Sequence, residues 1–189
     1  MCGRFLMNEE AVKAVSEFAR IPEAIQGHFD LGMIFPSNPS IIIWDDDGGF
    51  SCTVKEFGYF YEKMNKRIIN ARAETVTEKW MFRKAFQKQR CLIPCALFYE
   101  WDARKQRISF FENNQRVLYL AGFWMDEGFV ILTTQANSSV SPYHHRMPLV
   151  LDRKQAADWL TSTEEAARLL KIIPPALDHR FQYENLTLF

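Results

Sequence analysis

The chain has 189 residues, 48% of them apolar and 16 of them phenylalanine, and its 23 basic residues balance 23 acidic ones. Such a length and composition exclude intrinsic disorder, and no apolar run is long enough to cross a bilayer as a helix. A net charge of zero excludes long-range attraction of the whole molecule to nucleic acid, so any such affinity must come from how the charge is distributed.

In chain order, the sequence opens Met1-Cys2-Gly3-Arg4. Removal of Met1 exposes a cysteine whose thiol and α-amine form a 1,2-aminothiol, a group that traps an aldehyde first as an imine and then as a thiazolidine ring. Unperturbed pKa values of about 8 for the amine and about 8.5 for the thiol leave workable fractions of both nucleophiles near neutrality. Residues 1–7 lack the apolar core of a secretory signal, so a soluble, intracellular protein is expected, and Cys2, Cys52, Cys91 and Cys95 are read as thiols.

Residues 9–20 carry apolar side chains at helical spacing (Val12, Val15, Phe18, Ala19), with Asn8 as the cap. After the loop Phe35-Pro36-Ser37-Asn38-Pro39, residues 41–44 and 50–54 flank an Asp- and Gly-rich turn and predict a β-hairpin. A helix is predicted over 77–89, with Trp80, Phe82 and Phe86 among its apolar positions. Residues 92–101 read as one buried strand, in which Pro94 requires an edge position or a bulge. Hairpins are expected from 108–111 into 117–124, and through Asp126-Glu127-Gly128 into 129–134. Then come a polar loop, the segment His144-His145-Arg146-Met147-Pro148, a short strand at 149–151, and helices from the Asp152 cap to Leu160 and from Thr163 to Leu170. The expected fold class is α+β, a mainly antiparallel, barrel-like curled sheet with flanking helices, forming a single domain over residues 1–189.

The charge is unevenly placed. Between Lys63 and Arg90 nine basic residues face only Glu74 and Glu78. This stretch reads either as a solvated helix face or, with Phe57, Tyr59, Phe60, Trp80 and Phe82 nearby, as a surface for single-stranded nucleic acid. Asn70 in Asn70-Ala71-Arg72-Ala73-Glu74-Thr75 can donate and accept hydrogen bonds, and Arg72 can grip a phosphate through two N–H groups. Glu100, set in the apolar Phe98-Tyr99-Glu100-Trp101, shuttles protons near neutrality if it is desolvated and is inert if it faces solvent. A histidine at 144 or 145 titrates in the range imine chemistry requires, and Arg146 is a second candidate phosphate clamp. Cys91 and Cys95 have no second Cys or His pair at zinc-site spacing, so no metal is expected.

Met1-Cys2-Gly3-Arg4-Phe5, Asn70 to Thr75, Arg90-Cys91-Leu92-Ile93-Pro94 leading to Tyr99-Glu100-Trp101, and His144-x-Arg146-Met147-Pro148 together resemble the SOS-response-associated peptidase (SRAP) family in order and spacing. The resemblance implies a sensor of abasic sites in single-stranded DNA that forms a thiazolidine DNA–protein crosslink through Cys2. It implies catalytic roles for Cys2, Asn70, Glu100 and His144, with His145 a bystander, and DNA contacts from Arg4, Arg72 and Arg146. Family members carry a Trp-Gly segment where this chain has Phe57-Gly58, which passes the aromatic wedge to Phe57; Pro39 is a further candidate DNA contact. Release of Met1, by self-processing or by a methionine aminopeptidase that the small Cys2 suits, and an abasic-site lyase side activity are also implied; a monomer, no cofactor, no membrane partner, and a cytoplasmic location on the nucleoid when DNA is bound are expected. Two alternatives remain: a thiol protease using Cys91 or Cys95 with His144 and Glu100, and a noncovalent single-strand-binding module.

Overall fold

The structure is a computed structural model and describes residues 2–182. Its first half comprises β1 (Arg4–Met7), α1 (Glu9–Ser16), β2 (Gly32–Ile34), β3 (Pro39–Asp45), β4 (Phe50–Phe57), β5 (Tyr59–Tyr61), β6 (Lys66–Ile68), β7 (Asn70–Arg72) and α2 (Trp80–Lys88). There follow β8 (Arg90–Cys95), β9 (Leu97–Trp101), β10 (Arg107–Phe111), β11 (Leu118–Met125), β12 (Gly128–Gln135), β13 (Arg146–Pro148), β14 (Val150–Leu151), α3 (Arg153–Thr161), α4 (Thr163–Leu169) and β15 (Asp178–Phe181). Among the described residues, no helix is long and apolar enough to cross a membrane.

The fold is α+β, and its larger sheet curls into a ring. β12 runs beside β4 in parallel, β4 pairs with β3, β3 meets β8 at Ile43 and Leu92, β8 lies along β11, and the β11–β12 hairpin closes the circuit. A second sheet, in the order β15-β10-β9-β1-β2, packs outside it. Phe5 of β1 joins the two, its ring 5.4 Å from that of Phe57 on β4, while Phe57 stacks on Phe129 of β12 at 5.3 Å. Aromatic pairs at such spacings add about 0.5–1.5 kcal/mol each beyond the apolar area they bury.

Local chemistry explains most elements. Asn8 caps α1 by accepting the Ala11 N–H, and Asp152 and Gln155 form a reciprocal capping box on α3. The 41–54 hairpin forms, extended at both ends. Two expectations are corrected. Residues 92–101 are two strands, because the chain leaves the ring at Ala96, whose N–H donates to the Leu6 carbonyl; β8 stays in the ring and β9 joins the second sheet. Pro94 lies two residues beyond the single β3–β8 pairing, where its missing N–H removes no bond to β3. Residues 108–111 do not pair with 117–124 either. β10 turns back on β9 and also takes β15 as a partner, a strand the sequence pattern did not announce.

The ring closes at a glycine. The Gly58 N–H donates to the Phe129 carbonyl, and a Cβ on Gly128 would stand 2.6 Å from the Gly58 oxygen and 2.8 Å from Tyr59 Cα, both backbone atoms. Gly128→Ala must push β12 away from the end of β4. It is expected to destabilise the protein by about 1–3 kcal/mol, a fall in Tm of roughly 2–12 °C by thermal denaturation; an unchanged Tm would show that the closure tolerates a side chain.

Candidate active site

Four of the residues singled out in the sequence come together at the start of β1, where the second sheet meets the ring. Cys2, completely buried, precedes β1; β1 lies against β9 with Arg4 opposite Tyr99, which brings Glu100 to the same place. Asn70 opens β7, which is carried by β12 through the pairing of Asn70 with Ile131. Its Nδ2 donates to the Cys2 carbonyl at 3.1 Å. His144 ends a turn, its N–H donating to the Val140 carbonyl, and its Nδ1 lies 3.9 Å from Glu100 Oε1. The ring is set by the main chain of Arg146, whose carbonyl oxygen and N–H stand 2.8 and 3.1 Å from the same Nδ1. His145 stacks on His144 at 4.6 Å but is exposed.

Burial dominates the electrostatics. Desolvation pushes the Glu100 carboxyl, only 3% exposed, up to about 7, and lowers the His144 pKa below its ordinary value. Desolvation also drives the Cys2 thiol well above the usual thiol range, reinforced by the negative charges available on Glu100 and Cys95. Near neutrality the site therefore holds a neutral thiol, a neutral imidazole and a carboxyl group poised to take up or release a proton. Cys52, Cys91 and Cys95 are buried thiols raised by desolvation too, Cys52 to about 12, which leaves them poor nucleophiles.

The candidate DNA contacts divide. Arg72 is exposed at the end of β7. Arg4 lies between two rings, its guanidinium carbon 4.8 Å from the centroids of Phe35 and of Trp101, so that only its N–H edges remain for a phosphate. Pro39 opens β3 half-buried, opposite Glu56.

One candidate contact is corrected, and a second is found paired within the protein. Phe57 has no exposed surface and belongs to the core between Phe5 and Phe129, so it cannot stack on a base. Arg146 is largely withdrawn: its side chain is 10% exposed, and Glu74 holds it through two bonds of 2.6 and 2.9 Å while it also donates to the Thr133 carbonyl. Hydrogen bonding to Arg146 correspondingly lowers the Glu74 carboxyl. The pair anchors the backbone on which the His144 ring hangs. Glu74, Phe35 and Trp101 were missed as partners because each meets its arginine only after folding. Beside Asn70 runs a cleft of about 680 Å³ lined also by Arg72, Lys79, Trp80 and Met81. No group of three or more metal-ligating side chains occurs among the described residues.

The model of the family described as SOS response associated peptidase (SRAP) matches residues 1–187. The chain belongs to the SRAP family. It is 30% identical to abasic site processing protein YoqW of Bacillus subtilis, over 85% of this chain and 80% of that protein. It is 28% identical to abasic site processing protein YoaM of the same organism, over 100% and 92%. The crystal structure of a protein from Bacteroides thetaiotaomicron superposes with a TM-score of 0.79 at 26% identity, covering 95% of this SRAP chain and 91% of the other.

Because folding raises the Glu100 pKa, the folded state holds more protons than the unfolded one between the ordinary value of 4.5 and about 7. The resulting stability is fully present below the lower value and is lost as the pH rises through the higher one. Melting temperatures of wild type and Glu100→Gln from about pH 5 to about pH 8 are expected to show wild type losing ground steadily and then levelling off. A difference independent of pH would mean that Glu100 is not desolvated.

Proposed function

We propose that this chain, once Met1 is removed, captures abasic sites in single-stranded DNA by covalent bonding through Cys2. The observation that carries the proposal is the convergence of Cys2, Asn70, Glu100 and His144 in one buried place. Family membership and the abasic site processing names of the relatives support the same reading.

An abasic site in its ring-opened form presents an aldehyde at C1′. The Cys2 α-amine adds to that carbon, water leaves, and an imine forms; Cys2 Sγ then adds to the imine carbon while the thiol proton passes to nitrogen, closing the thiazolidine. The sum is aldehyde plus aminothiol giving thiazolidine plus one water. Glu100, with a pKa near 7, has the affinity to protonate the departing hydroxyl and to accept the thiol proton that Cys2, buried as it is, does not release unaided. Asn70 holds the Cys2 carbonyl and so aims the amine and thiol. His144 assists opening of the sugar ring and reversal of the crosslink. The imine also acidifies the neighbouring C–H, which opens the way to β-elimination as a lyase side reaction; Met1 is released by self-processing or by a methionine aminopeptidase.

Incubation of the processed protein with an oligonucleotide carrying one abasic site is expected to give a species that survives denaturation and carries the mass of protein plus DNA minus one water. Cys2→Ala should abolish it, and Glu100→Gln should slow its formation by about 10²-fold or more. Crosslinking by Cys2→Ala at the wild-type rate would overturn the mechanism, and a wild type inert toward the aldehyde would overturn the function.

A further inference from the structure

The helix α2 buries Phe82 and Phe86, four residues apart, against the ring side of the molecule. Trp80 stands two residues before Phe82, about 200° away around the helix, and so falls on the opposite face. It is 73% exposed. An indole left in water is an unusual use of the largest apolar side chain, and the position of this one is specific. Among the exposed large apolar residues, which include Phe35, Phe60 and Ile173, Trp80 is the one that lines the cleft beside Asn70.

That cleft borders the candidate active site, because Asn70 belongs to both: it lines the cleft and donates to Cys2. Lys79 and Arg72, both exposed, stand beside Trp80 in the lining and give this wall a positive charge. An aromatic face with two cations beside it is suited to a nucleobase on its sugar-phosphate chain, the base stacking on the indole and the backbone meeting the cations. The expected aromatic contact, Phe57, is locked in the core, so no stacking surface comes from that position.

We infer that the cleft is a nucleobase subsite, in which a base of the DNA strand near the captured sugar stacks on Trp80. This rests on the proposed capture of abasic single-stranded DNA and adds to it a contact made by an undamaged neighbour. The subsite makes the lesion's surroundings part of recognition: the neighbouring base is bound while the abasic sugar reaches Cys2.

The test uses oligonucleotides with a central tetrahydrofuran spacer, an abasic analogue without an aldehyde, so that binding is read by fluorescence anisotropy without crosslinking. Further oligonucleotides carry a second spacer at each of the adjoining positions in turn. Trp80→Ala is expected to weaken binding to the single-spacer strand about 5- to 150-fold, the range for loss of one base–aromatic stack, while Trp80→Phe keeps most of the affinity. At one adjoining position the second spacer should cost wild type the same factor and Trp80→Ala nothing more. Because Trp80 is mostly solvent-exposed, circular dichroism of both variants should match wild type. An unchanged affinity in Trp80→Ala, or a loss that persists whichever base is removed, overturns the subsite. If wild type crosslinks an aldehyde-bearing strand but shows no such coupling, the subsite alone fails; if it neither crosslinks nor binds single strands, both readings fail.

Discussion

The hydrogen bond from Asn70 Nδ2 to the Cys2 carbonyl joins two parts of the molecule that reach it by separate routes. Asn70 arrives on the ring, through β7 and its parallel pairing with β12. Cys2 arrives on the second sheet, through β1 and its pairing with β9. For the bond to form, ring and sheet must be seated on each other to within a few tenths of an ångström. The Phe5–Phe57–Phe129 cluster provides that seating, with Phe5 contributed by the sheet and the other two by the ring. Gly128, close against Gly58, lets the ring close at the strand that holds Phe129.

Desolvation sets the chemistry of the junction. The same burial that raises Glu100 and Cys2 lowers His144, so every titratable partner moves toward its neutral form. A site of this kind is poor at holding a standing thiolate. It suits a reaction in which protons move between neighbours within the site, as the proposed imine and thiazolidine steps require, and through Asn70 it borders a cleft whose cations are exposed. On the proposed reading, charge for attracting a polyanion and neutrality for condensing an aldehyde are kept on adjoining surfaces.

The arginines show how similar side chains take different parts. Arg72 is left exposed; Arg4 is pressed flat between Phe35 and Trp101; Arg146 is withdrawn into a bidentate pair with Glu74 and there supports the backbone that carries His144. Each of the three carries the same charge, and what separates them is the partner that folding supplies.

The sequence by itself determined the local pieces: the Asn8 and Asp152 caps, the 41–54 and 117–134 hairpins, and the family; it also singled out Cys2, Asn70, Glu100 and His144 as candidates. These are legible because capping and tight turns depend on neighbours a few residues apart, and because chemistry needs particular side chains. Only the tertiary structure decided that 92–101 divides between two sheets, that β10 leaves its expected partner for β9 and β15, that Phe57 is core, that Arg146 is bound to Glu74, and that Trp80 is exposed. Strand pairing, burial and ion pairing join residues distant along the chain, such as Arg146 and Glu74, and the pattern along one segment carries no record of which distant segment it will meet.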